Sequence, residues 1–208
     1  MKYRFIIFDF DGVIADSYPF FLEIFSELAN LHNFKDIPKE MIPECRRKSA
    51  REMMRVVGLP SWKLPFVAKD FIKYMQRDSG KIKQFPGIED VLETLNRGGA
   101  SLSIVSSNSM TNIKNVIGDI EFGRMNSVEC GASIFGKATR LAKAMKSAGF
   151  KPSESIYIGD QLEDLHAARK AGCAFGVVAW GYGVTESFKK YTPEEEFDSV
   201  ASIKRLVF

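Results

Sequence analysis

Residues 4–17 read RFIIFDFDGVIADS, and the fold follows from how this stretch is read. The run 4–8 (RFIIF) is short, apolar and aromatic, and it stops at Asp9, Asp11 and Gly12. A buried strand that breaks on acidic residues and a glycine fits that pattern. Asp9 and Asp11 are two apart, so in extended chain their side chains leave on the same side. Two like charges at the exit of a buried strand cost stability unless a cation or a reaction requires them.

Further along, the same strand-then-polar pattern returns. Residues 101–105 (SLSIV), 127–130 (SVEC), 155–158 (SIYI) and 174–179 (AFGVVA) read as strands. Helices are expected at about 88–97, 110–117, 137–147 and 161–171, several closing on a glycine such as Gly98, Gly149 or Gly172. Near the end, DSV (198–200) suggests one more short strand and SIKRLV a terminal helix. Residues 18–80 differ: apolar residues recur at helical spacing (Phe20, Phe21, Ile24, Phe25, Leu28; then Met53, Met54, Val57; then Phe66, Val67, Phe71, Tyr74), and prolines punctuate them. Alternation of strands and helices predicts an α/β, doubly wound parallel sheet, here with an inserted all-helical segment. The expected division is a core domain of residues 1–17 and 81–208 and a helical cap domain of residues 18–80.

The 208-residue length suits one good-sized core, or a core domain plus a smaller insert. A net charge of +3 does not demand a nucleic-acid partner. No apolar run approaches the ~20 residues that span a membrane. Cys45, Cys130 and Cys173 are odd in number and widely spaced, which suits a reducing compartment. With no signal-peptide pattern, the expected location is cytoplasmic. The run Arg46, Arg47, Lys48, Arg51, Arg55 is the one strongly basic segment, read either as a solvated helix face or as a source of positive potential for an anionic ligand. His32 and His166 read as helix-surface residues. Trp180 reads equally as an entrance residue or a packing one.

In open α/β sheets, ligands bind outside the carboxyl ends of the strands. The first strand delivers Asp9, Asp11 and Gly12 there. The second delivers Ser106, Ser107 and Asn108, a later loop delivers Gly136 and Lys137, and another strand delivers Gly159, Asp160 and, one helical turn on, Asp164. Four distant parts of the sequence thus bring polar residues to one rim.

With these residues in view, the chain resembles the haloacid dehalogenase superfamily, in the branch similar to phosphoglycolate phosphatase. DFDGVIADS resembles the family's first motif, SIVSSN the second, Lys137 in FGKATRL the third and YIGDQLEDLHAARKAG the fourth. FPGIEDVLETLNRGG resembles the segment before the second motif, and the insert falls where such proteins carry a small helical cap. Where the family often has proline after the lysine, Ala138 stands here.

The resemblance implies a phosphatase. Asp9 would be the nucleophile, forming an aspartyl-phosphate, and Asp11 the acid that protonates the leaving alkoxide and then activates water. Carboxylates facing a phosphate dianion repel it, which a hard divalent cation relieves, so Mg²⁺ is the expected cofactor. Its expected ligands are Asp9, the Asp11 backbone carbonyl and Asp160, with Asp164 acting through water or orienting its neighbours. Ser106 would supply a hydroxyl, backbone N–H groups of Ser107 and Asn108 would face the phosphoryl oxygens, and Lys137 would supply a point charge. Gly12 would let the chain turn close to the substrate. The expected partner is a small phosphorylated metabolite, phosphoglycolate-like if the basic run serves an extra negative charge. Nothing in the sequence sets an oligomeric state. Two other readings stand beside this one. A mutase similar to β-phosphoglucomutase would usually carry a histidine early in the cap, where Phe20 and Phe21 are found here. A non-catalytic protein binding a phosphorylated metabolite would be free to lose Asp9, which is present.

Overall fold

The computed structural model describes residues 1–45, 48, 50–131, 136–183, 188 and 190–208. Its centre is a six-stranded parallel sheet. The strands are β1 (Phe5–Phe8), β4 (Ser101–Val105), β5 (Met125–Glu129), β6 (Ser155–Gly159), β7 (Ala174–Val178) and β8 (Glu195–Phe197), in the order β5-β4-β1-β6-β7-β8. The chain builds outward from β1 on one side through β4 and β5, then returns to build the other side from β6. β1 is therefore flanked by β4 and β6, the switch point at which such sheets open a crevice.

The period of two sorts the side chains of β1 onto the two faces. Ile6 and Phe8 join Leu102, Ile104, Ile156 and Ile158 on one face. That face is covered by α5 (Ile88–Arg97), α6 (Met110–Arg124) and the C-terminal 3-10 helix Val200–Leu206. Phe5 and Ile7 join Val105, Tyr157 and Phe175 on the other, under α7 (Lys137–Ala148) and α8 (Leu162–Ala171). A sheet buried on both sides needs the near-continuous apolar strands that the sequence has.

Between β1 and α5 the chain leaves the sheet. Strand β2 (Ala15–Asp16) pairs antiparallel with β3 (Lys83–Gln84), with Ala15 opposite Gln84, and the Phe85 amide donates to the Ile14 carbonyl at 2.9 Å. This narrow neck carries the helical insert: α1 (Tyr18–His32), α2 (Ile42–Cys45), α3 (Ala50–Val57) and α4 (Leu64–Arg77). The insert does not keep a separate core. Phe20, Ile24, Leu28, Val67 and Met75 belong to the same buried cluster as Ile6 and Phe8.

Three elements differ from the sequence-based expectation. The last strand is Glu195–Phe197, before DSV, because Phe197 is the residue that buries and pairs opposite Val178, while Ser199 turns the chain and caps the C-terminal helix. That terminal helix is 3-10 in character. Helix α6 runs past 117 to Arg124, interrupted at Gly118 (φ 79°), which breaks the helix and lets it resume. Of the basic run, Arg46 and Arg47 lie outside the described residues, as do residues 184–187 of the segment after Trp180. Among the described residues, no helix is long and apolar enough to cross a membrane.

Candidate active site

Pairing of β1 with β6 puts Phe8 beside Ile158, so the next residues, Asp9 and then Asp160 after Gly159, leave the sheet side by side. Asp164 lies on the first turn of α8. Carboxylate oxygens of Asp9, Asp160 and Asp164 lie within 4.8 Å of one another, and all three residues are buried. Lys137, at the start of α7, enters from the other side: its Nζ donates to Asp9 Oδ2 at 2.8 Å and to Asp164 Oδ1 at 2.5 Å. Its side chain is only 15% exposed, which makes it a buried partner rather than a surface lysine.

Each carboxylate has a distinct setting. Asp9 Oδ1 accepts the Phe10 amide at 2.8 Å. Asp164 Oδ2 accepts the amides of Asp160 and Gln161 at 3.2 and 3.0 Å, and its other oxygen takes Lys137. With both oxygens engaged it orients its neighbours. Asp160 Oδ2 accepts the Tyr182 amide at 2.7 Å, whereas Asp160 Oδ1 is buried without a hydrogen-bond partner. A buried carboxylate oxygen left unpaired is costly.

The electrostatics reflect this crowding. Burial pushes the Asp9 carboxyl up to about 7, with Lys137 opposing the shift and Asp164 adding to it. Burial and then Asp164 and Asp9 hold Asp160 well above the carboxylate range. Burial works against the Lys137 charge, but Asp164 and Asp9 keep its ammonium well above its ordinary range. One ammonium for three converging carboxylates leaves a surplus of negative charge. A hard divalent cation with oxygen ligands fits that donor set and the orphaned Asp160 oxygen.

Asp11 faces away from this cluster, toward a cavity. Ser17 Oγ donates to Asp11 Oδ1 at 2.6 Å. Ser17 is also hydrogen-bonded to the Tyr182 hydroxyl; since the serine proton is on Asp11, the tyrosine donates. Asn108 Nδ2 donates to Asp11 Oδ2 at 2.9 Å. Burial raises the Asp11 carboxyl, opposed by these bonds from Ser17 and Asn108. Asn108 is fixed in turn by Asn112, whose Nδ2 donates to Asn108 Oδ1 at 2.8 Å and to the Ile72 carbonyl of α4 at 3.0 Å. The insert is thus linked through Asn112 to Asn108, the residue that holds Asp11.

The second motif is arranged differently from expectation at one point. The Asn108 amide, expected to face a phosphoryl group, donates to Ser106 Oγ at 3.0 Å, and it is the Asn108 side chain that reaches the site. Ser107 lines the cavity. Trp180 packs: its ring nitrogen donates to the Val13 carbonyl at 3.2 Å and its ring meets Phe85. His32 bonds Asp70, and His166 packs on Tyr191. Residues that sequence reasoning passed over are Ser17, Tyr182, Asn112 and Met75, whose sulfur receives Asn108 Nδ2 at 3.2 Å.

Glycines make the close packing possible. Gly12 has φ +80°, and a Cβ there would stand 2.5 Å from Asp160 Oδ2. A Cβ at Gly183 would stand 1.9 Å from the Asp160 carbonyl oxygen. Gly12→Ala is expected to lower stability by about 2–4 kcal/mol, from left-handed strain and overpacking together. Urea unfolding checks this, and an unchanged midpoint would mean that the cradle around Asp160 yields.

The chain is similar to several known proteins. The sequence model of the haloacid dehalogenase-like hydrolases matches residues 6–178. A phosphoglycolate phosphatase of Synechococcus elongatus is 30% identical over 194 residues, covering 91% of this chain and 90% of that protein. An N-acetylmuramic acid 6-phosphate phosphatase of Pseudomonas aeruginosa is 21% identical, covering 88% and 84%. Among solved structures, a haloacid dehalogenase-like hydrolase of Streptococcus pneumoniae aligns with a TM-score of 0.81 at 18% identity, covering 100% of this chain and 99% of that one. CbbY of Rhodobacter sphaeroides, solved with phosphate, aligns at 0.73 and 18% identity, covering 97% and 96%.

Proposed function

The chain belongs to the haloacid dehalogenase-like hydrolase family, and from that premise we propose that it is a Mg²⁺-dependent phosphatase that hydrolyses a small phosphomonoester through an aspartyl-phosphate. The observation that carries the reading is the meeting of Asp9, Asp160 and Asp164 within 4.8 Å, with Asp11 turned to the cavity beside them. In this reading Asp9 attacks phosphorus: the Asp9 O–P bond forms and the ester P–O bond breaks. Asp11 gives its proton to the departing alkoxide, then takes one from the water that attacks the aspartyl-phosphate and frees phosphate.

The other residues serve these two steps. Lys137 holds the Asp9 carboxylate in one orientation and adds positive charge beside the transferring oxygens. Ser106 and Ser107 supply donors from the end of β4. Ser17 and Asn108, each bonded to one Asp11 oxygen, fix the acid toward the cavity. The Asp9 and Asp160 carboxylates and the Asp11 main-chain carbonyl would hold Mg²⁺, which when bound would offset the charge of the phosphate dianion and polarise the phosphoryl group. The helical insert acts as the cap over this site, and the protein works as a soluble cytoplasmic enzyme on a phosphorylated metabolite.

The test is release of inorganic phosphate from p-nitrophenyl phosphate with Mg²⁺. Asp11→Asn is expected to slow steady-state turnover by about 10²–10⁴-fold, the usual worth of a general acid and base. With an activated leaving group it should accumulate the phosphorylated protein, seen as a mass increment of one phosphoryl group that Asp9→Asn lacks. No release by the wild-type protein, or a phosphorylated form surviving in Asp9→Asn, overturns the reading.

A further inference from the structure

The cavity that begins at Asp11 is large and apolar for a site expected to take a two-carbon hydroxy acid. It holds about 450 Å³ and runs from Asp11, Ser17, Ser107 and Tyr182 into the middle of the helical insert. Its walls there are Phe21, Leu22, Phe25, Met53, Leu64 and Phe71. Volumes of this order accommodate ligands far larger than a carboxymethyl group. Among the described residues, the charged groups on its lining are Asp11, Glu52, Glu163 and Lys48. The lysine is committed to Glu44 at 2.9 Å. A second carboxylate carried into these walls would be desolvated against aromatic and aliphatic side chains. An apolar group would instead gain by leaving water.

We propose that the leaving group this enzyme takes is an uncharged, largely apolar alcohol, an aryl or medium-chain alkyl group, rather than a small hydroxy acid. The inference rests on the phosphatase reading and adds the substrate class to it. The phosphoryl group lies at Asp9 and Asp11, and the ester carbon chain enters the insert between α1 and α4. Relatives that are phosphatases for phosphoglycolate and for N-acetylmuramic acid 6-phosphate already differ in leaving group, so the core does not dictate this choice.

The experiment measures kcat/KM for phosphate release, with Mg²⁺, from n-alkyl phosphates from ethyl to octyl, from phenyl phosphate and from 2-phosphoglycolate. The expected result is a rise of about two- to fourfold per added methylene until the cavity is filled. The longer alkyl and phenyl esters should exceed 2-phosphoglycolate by about tenfold or more. Met53→Trp should move the best chain length shorter and Met53→Ala longer. A flat series, or a preference for 2-phosphoglycolate, overturns this inference while leaving the phosphatase reading in place. No release from any of these esters, nor from p-nitrophenyl phosphate, overturns both.

Discussion

Asp9→Asn is expected to abolish phosphate release, by about four orders of magnitude or more, while the protein stays folded. An amide cannot displace the alkoxide, so both halves of the reaction lose their covalent route. Stability should change little, for reasons visible around the residue. The substitution removes a carboxyl that burial already pushes up to about 7, so a costly buried charge disappears. Against this, Asp9 accepts from both the Phe10 amide and Lys137, and an asparagine offers one acceptor where there were two. Lys137 keeps Asp164 at 2.5 Å. The two effects oppose, and the net change should stay within about 1–2 kcal/mol. Thermal melting alongside phosphate-release assays checks both halves. Residual turnover near the wild-type level would remove Asp9 from the nucleophile's role.

The second large effect concerns the metal. Chelation is expected to abolish turnover, and in the chelated protein stability should fall as pH rises from about 4 to about 7. In the fold the Asp9 carboxyl titrates near 7, above its ordinary value of 3.8, so the folded state holds its proton more tightly than the unfolded chain does. Its contribution is present in full below about 4 and is lost as pH climbs through about 7. Burial shifts Asp11 and Asp160 in the same upward direction, so they add to the slope. The loss should amount to a few kcal/mol, or several degrees in Tm for a chain of this size. Mg²⁺ binds the ionised carboxylates, so adding it at pH 7–8 should recover that loss and should do little at pH 4–5. A melting temperature in EDTA that is flat across this range, with no response to Mg²⁺, would break the link between the acidic cluster and a cation.

Much of this arrangement is legible in the sequence because the chemistry sits where strands end. Asp9, Asp11 and Asp160 come directly after runs of buried residues, and the parallel pairing of β1 with β6 sets Asp9 and Asp160 side by side. Lys137 is a different case: composition and spacing do not mark a lysine at the start of a helix, only the resemblance of FGKATRL to the family's third motif does, and its bonds to Asp9 and Asp164 appear only in the fold. Ser17 and Tyr182 are 165 positions apart, and Asn108 and Asp11 are 97 apart. No periodicity or spacing rule connects such pairs; tertiary packing does. Strands β2 and β3 have two residues each, too few to show alternation. Phe20 and Phe21 read alike as members of a helical stripe. One is buried at 3% exposure, and the other walls the cavity. A turn of about 100° around α1 separates them, and only the neighbouring helices decide which side is filled and which is left open.

The neck formed by Ala15–Asp16 and Lys83–Gln84 bears on how such proteins diversify. Paired antiparallel strands hold the two ends of the insert about 5 Å apart, whatever lies between them. The register of the central sheet is therefore indifferent to how long the excursion is or how many helices it contains. A lineage could exchange the excursion wholesale and keep Asp9, Asp160 and Lys137 in register, provided the newcomer offered a greasy underside to replace Phe20, Ile24 and Met75. New chemistry at the ester carbon would then arise by transplantation, without a single change in the strands that carry the acids.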